Sequence, residues 1–290
     1  MPVEHLLRHV LLFPIGCGLG VALLVFAAGR DRWPAWTGLA LAVALAAALL
    51  LHPNFAAQFP PRSAEVALPW AAVAFALFGL IRLPGPAAGL ERHALDAAVL
   101  LPPAGWIAWL TASEVREYYG WQALAFAGVV VLATLAAAAS VLLHRAVARK
   151  HAASAVLIGW LLTGSAASLA LLFGKLAKGA EFAGVLCAVL GPSVAVALLR
   201  GRPARADAYA APFAGAVFAA LLFGLLQAEL IWISAALLVL LSAAAGLLNL
   251  RSRGAWATIG GIGIVTLLPA AAAVFLAFMQ AAVEPGSDGG

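Results

Sequence analysis

Charge is what this sequence has least of. Asp, Glu, Lys and Arg make up 10% of its 290 residues, where a soluble domain carries about 25%. The 17 cations and 12 anions are too few to cover a water-exposed surface for a chain this long, and 65% of the residues are hydrophobic. With a mean hydropathy of +1.04, these figures exclude a soluble enzyme, a disordered chain and a coiled coil. Cysteine is nearly missing too. Cys17 and Cys187 both fall in apolar stretches, which excludes a disulfide scaffold and reads them as small packing residues. More apolar sequence follows Cys17, so the run before it makes a poor lipid-attachment signal.

Catalytic signatures are equally absent. There is no HExxH, no GxSxG, no phosphate loop and no acidic metal cluster. The six histidines lie at the ends of apolar runs, where they do not face one another across a membrane as haem ligands must. His5 and His9 are four residues apart, but a metal needs a third ligand that the neighbourhood does not supply. The expectation is a protein without cofactor or metal that is not an enzyme. The formal charge of +5 sits in short connectors between apolar runs, so it reads as a topology signal and not as a nucleic-acid footprint.

What is present is a series of long apolar runs. A helix needs about 20 such residues to cross a bilayer core of roughly 30 Å. Ten runs qualify, at about 7–28, 33–51, 66–83, 95–112, 121–143, 152–173, 182–199, 210–227, 230–249 and 255–280. A cleaved signal peptide ending near Ala28 is the alternative reading of the first. Residues 209–250 are apolar apart from Gln227, Glu229, Asn249 and a few hydroxyls. As one helix they would be roughly 63 Å long, so the chain must turn back near Gln227 to Glu229; nine spans is the main alternative count. The predicted fold is an all-α polytopic transmembrane bundle of about ten helices.

Twelve of the 17 Lys and Arg residues lie in the odd-numbered connectors. The positive-inside bias places those connectors in the cytoplasm, with both termini outside a multi-pass cell-membrane protein. The organisation expected is a first five-helix unit over 1–143, a basic cytoplasmic connector over 144–151, a second unit over 152–283 and a flexible tail over 284–290.

The second half also slides over the first with a drifting offset. Leu24-Val25-Phe26 meets Leu171-Leu172-Phe173 at 147, and Gly38, Ala42 and Val43 meet Gly184, Ala188 and Val189 at 146. Leu77 to Leu80 meets Leu222 to Leu225 at 145, Glu91 meets Glu229 at 138, and Trp121 and Gly128 meet Trp256 and Gly263 at 135. An Ala/Leu-rich chain aligns with itself easily, but the steady drift and the paired Trp, Phe-Gly and Glu positions rise above that background. Units of five spans must lie in the membrane with opposite orientation, a construction recurrent in secondary transporters. In architecture the chain is similar to the drug/metabolite transporter superfamily, which also uses ten short helices in two five-helix units. That resemblance implies a transporter; the outward termini depart from the family's usual cytoplasmic ones.

Inverted-repeat transporters place their site where helices are interrupted at equivalent positions. Gly16, Cys17 and Gly18 in span one follow Pro14, which can open the helix. Their partners at the repeat offset are Thr163, Gly164 and Ser165 in span six, with Ser168 a turn on and Trp160 just before. Gly16, Cys17, Gly18, Trp160, Thr163, Ser165 and Ser168 are therefore the candidate solute-lining residues, at a crossing of spans one and six. The competing explanation is close helix packing through small-xxx-small spacings. Pro102-Pro103 with Gly105 is expected to break span four, and Gly191-Pro192-Ser193 to kink span seven.

Ionisable groups in a membrane are candidate functional groups. Glu91, Asp96 and Glu229 are the candidates for ion or proton coupling, while Lys175, Lys178 and Glu181 read as a solvated connector. Two functions of different class follow. One is a small secondary transporter of a neutral or amphipathic solute working by alternating access. The other is a non-catalytic scaffold or subunit with a membrane-protein partner. Membrane lipids are partners in either case.

Overall fold

The computed structural model describes residues 11–27, 34–53, 59–80, 90–151, 153–200, 207–227, 230–241 and 255–283. All regular structure among them is helical. In chain order the helices are α1 (Phe13–Ala27), α2 (Pro34–Leu50), α3 (Ala64–Leu80), α4 (Leu90–Val115), α5 (Ala123–Lys150), α6 (Ala153–Phe173), α7 (Ala177–Arg200), α8 (Asp207–Leu226), α9 (Trp232–Ala236) and α10 (Ala255–Val283), with a π turn over Leu237–Leu241 after α9. Within lipid only a helix or a closed barrel satisfies every backbone group, and Ala- and Leu-rich runs take the helix. Six of these helices are long and apolar enough to cross a membrane: α4 to α8 and α10. Of the ten expected spans, α1, α2 and α3 are shorter, at 15, 17 and 17 residues. The protein is an all-helical, multi-pass integral membrane bundle.

Several interruptions expected from the sequence are not interruptions. Pro102 and Pro103 lie inside a continuous α4 and do not break it; α7 likewise runs unbroken through Pro192, the position expected to kink it. Neighbouring helices compensate the backbone groups that proline frees in a membrane. Pro14 stands near the start of α1, just after a π-helical stretch at 11–12, and the helix runs on through it. In the stretch 144–151, α5 continues to Lys150 and the chain turns at His151.

The centre of the bundle is α8. Every residue from 209 to 224 is buried, as expected of a helix that is apolar all round. Its packing partners include α3, α5, α4 and α7. The Phe75 ring of α3 lies against Gly215, where an added Cβ would come within 2.3 Å of it. By contrast α5 and α10 are outer helices. Leu124, Leu132, Leu268 and Phe275 are exposed on them, the surface that lipid covers.

Contacts between helix ends show how the chain alternates. The Ala64 backbone N–H at the start of α3 donates to Glu114 near the end of α4 at 2.8 Å. Lys178 at the start of α7 pairs with Glu65 at the start of α3, and Tyr119 after α4 reaches Leu226 at the end of α8. These ends share one face, here called the even face because connectors two, four, six and eight lie on it. On the opposite, odd face Asp96 early in α4 meets Arg149 late in α5. From α3 to α8 the helices thus run alternately up and down.

The two halves do not pack identically. Pairings α1–α2, α2–α3 and α4–α5 have counterparts in α6–α7, α7–α8 and α9–α10 or its adjoining turn. The extensive α6–α10 contact has no extended α1–α5 counterpart among the described residues.

Candidate functional site

The small-residue stretch of α1 does not cross α6. Its main neighbours are α7 and α2, and α7 stands between α1 and α6. The cause is Gly18, whose missing Cβ lets the α7 backbone in: a methyl group there would lie 2.3 Å from the Val189 carbonyl oxygen. Gly16 is exposed, with nothing within 4 Å of an added Cβ, and Cys17 is partly buried between them.

On α6 the hydroxyls are spent on helix packing. Thr163 Oγ1 donates to the Gly159 carbonyl at 3.0 Å, and Ser168 Oγ donates to the Ala180 carbonyl of α7 at 2.7 Å. Ser165 is exposed, with its Oγ 3.9 Å from Cys187 Sγ. Gly164 holds both Cys187 and the Phe213 ring close, at 2.5 and 3.0 Å from an added Cβ. Trp160 is buried, stacked on Phe213 at 5.7 Å and packed against His144 at 5.8 Å. His144 Nδ1 lies 2.7 Å from the Ser140 carbonyl, which can only accept, so that nitrogen carries its proton. Gly18 of α1 and Gly164 of α6 thus pack on α7 two residues apart, at Val189 and Cys187, while Trp160 packs on α5 and α8.

Among the carboxylates, Asp96 is buried and ion-paired. Arg149 donates to Asp96 Oδ2 at 3.3 Å, and Arg145 lies 3.9 Å away with its side chain 3% exposed. Arg145 and Arg149 are four apart on α5 and so share a helix face. Glu91 stands in the first turn of α4, and its side chain lies outside the described residues; Glu229 lies outside them entirely.

The even face holds groups that the sequence did not single out. The turn after α4 closes as a Schellman motif. Gly120 takes φ +60, its N–H donates to Glu117, and the Trp121 N–H donates to Arg116. That reversal stacks Tyr119 on Trp121 at 5.2 Å and sets Tyr118 edge-on to Tyr119 at 5.0 Å. Tyr119 Oη donates to the Leu226 carbonyl at 3.1 Å. A cavity of about 340 Å³ opens there, lined by Glu114, Val115, Tyr118, Tyr119, Leu226 and Gln227. Lys178, read from sequence as solvated, is exposed and also bridges to Glu65. A larger apolar groove of about 520 Å³ runs between α3 and α4, walled by Trp70, Trp106 and Trp109.

Comparison with family models, with curated proteins and with solved structures finds no match. The bundle carries a buried Asp–Arg cluster at one end, an open polar pocket at the other and an apolar centre between them.

Proposed function

We propose that the protein is a small secondary transporter of a neutral or amphipathic solute, in which the first five helices rock against the last five. The observation that carries this reading is where the halves are tied. Two polar links between them, Lys178–Glu65 and Tyr119–Leu226, both lie on the even face. Both are exposed or partly exposed, and links of that kind are worth about 1 kcal/mol or less each. They can be broken and remade at the modest cost an alternating-access gate requires. Among the described residues the halves also meet through apolar surface, and their backbones come close where Gly18 sits on Val189. That contact is a suitable pivot, because little side chain has to slide there.

In this reading the protein is a carrier without catalytic chemistry. The cation-rich odd connectors face the cytoplasm, and the tied even face and both termini lie outside the cell membrane. The inverted relation of two five-helix units supplies the exchange of open ends. Single cysteines at Trp121 and Trp256 should then react from opposite sides of the membrane; same-side labelling opposes the inverted arrangement.

Transport itself is tested by a reversible lock. In a background without Cys17 and Cys187, Glu65→Cys and Lys178→Cys are joined by oxidation in proteoliposomes. Uptake of solutes first identified by thermal-shift screening should stop on oxidation and return on reduction. Uptake that continues through the cross-linked protein contradicts the rocking mechanism. A protein that moves no solute and co-purifies with another membrane chain favours the subunit reading.

A further inference from the structure

The sign of the even-face cavity is set by three features that coincide. Glu114 is the one carboxylate lining it, and the bond from the Ala64 N–H to Oε2 fixes its position without neutralising its charge. Two helices end at the same place, α4 at Val115 and α8 at Leu226, and each C-terminus adds a partial negative charge, lessened by the bonds that the Val115 and Leu226 carbonyls accept from Tyr119. Arg116, the nearest cation in sequence, is directed elsewhere. Its Nε donates to the Trp121 carbonyl at 3.3 Å, and its guanidinium lies 5.0 Å from the centre of the Phe126 ring. The cavity is therefore electronegative and bordered by two tyrosine rings.

A divalent metal is a poor match, because it takes six or more oxygen ligands and a lone carboxylate supplies two. An alkylammonium ion fits better. It needs one counter-charge and aromatic faces, and it keeps little of the hydration shell that a hard ion demands. Leu110 stands one helical turn before Glu114 and lines the apolar groove with Trp106 and Trp109. A cation held at Glu114 thus has apolar surface within a turn of helix for a short hydrocarbon tail.

We propose that this pocket binds an amphipathic organic ammonium ion, its head between Glu114 and the Tyr118–Tyr119 pair and its tail toward the groove on α3 and α4. The proposal deepens the transport reading by naming the class of solute met at the even face, and it rests on that reading for the pocket being a mouth.

The test is calorimetric titration of the full chain in lipid nanodiscs with hexyltrimethylammonium, against protein-free discs and with hexanesulfonate as the anionic control. Saturable binding of the cation alone is expected. Glu114→Gln keeps an acceptor for the Ala64 N–H and should weaken binding about tenfold. Tyr118→Leu, at a side chain too exposed to matter for folding, should weaken it several-fold. Trp106→Ala should weaken hexyltrimethylammonium more than tetramethylammonium. Equal binding of the sulfonate, no saturable cation binding, or unchanged affinity in both Glu114→Gln and Tyr118→Leu overturns the proposal. Ammonium binding by a protein whose halves never move relative to one another would keep the pocket and remove transport. Movement of the halves with no ammonium binding would do the reverse.

Discussion

At the scale of single residues, Gly16 and Gly18, two positions apart on α1, make opposite predictions. Gly18 is in contact with the α7 backbone, while Gly16 faces open space. Gly18→Ala must push α1 and α7 apart, and overpacking of that kind costs about 1–3 kcal/mol. Gly16→Ala meets no obstacle and gains helix propensity, up to about 1 kcal/mol. Thermal unfolding in one detergent should therefore lower the midpoint for the first and hold or raise it for the second. Lys175 offers a third case. It ends α6 at φ +60, with its N–H bonded to the Leu172 carbonyl and the Leu176 N–H bonded to the Leu171 carbonyl. A side chain in that conformation costs about 1–2 kcal/mol, and a cation at a helix C-terminus returns about 0.3–1 kcal/mol. Lys175→Gly should thus stabilise the protein by about 0.5–1 kcal/mol, read as a higher unfolding midpoint.

At the scale of elements, the α4–α5 pair adds buried charge to its apolar packing. Asp96 and Arg145 are both nearly inaccessible, whereas the Arg149 side chain is 41% exposed. Removing one member of a buried pair leaves its partner's charge in the bundle, so Asp96→Ala should cost about 3–5 kcal/mol. Arg149→Ala, which removes a half-solvated partner, should cost about 1 kcal/mol or less. Equal losses for the two variants, measured by denaturation in detergent, would contradict this division.

The helices themselves were largely legible in the sequence. The run 152–173 is α6 to within a residue, and 33–51 is α2, because apolarity and length decide where lipid-soluble helices form. The reversal near Gln227 appears as the end of α8. Partner choice was not legible. That α1 meets α7 depends on Gly18 and Val189, 171 residues apart in a chain where small residues are everywhere. The even-face pocket was hidden for a similar reason. In the sequence Glu114, Tyr118 and Tyr119 look like any polar connector, and the wall that makes them a cavity arrives with Leu226, 107 residues after Tyr119. The one local signal was Gly120 after paired tyrosines, the pattern of a helix that stops and turns back.

At the scale of the whole molecule, α8 is enclosed by helices from both halves, and the described links joining the halves through polar groups sit on the even face. Rocking of the halves requires this face to open. The most direct measurement is the distance distribution between spin labels at Arg62, just before α3, and Lys175, in the turn between α6 and α7. Both side chains are exposed on the even face, and neither takes part in the Lys178–Glu65 or Tyr119–Leu226 link. In nanodiscs, in a background without Cys17 and Cys187, two separations are expected. The longer one should gain population when Glu65→Gln and Tyr119→Phe remove the two ties. A single separation, unchanged by those substitutions, would contradict a rocking transporter and leave a static membrane bundle.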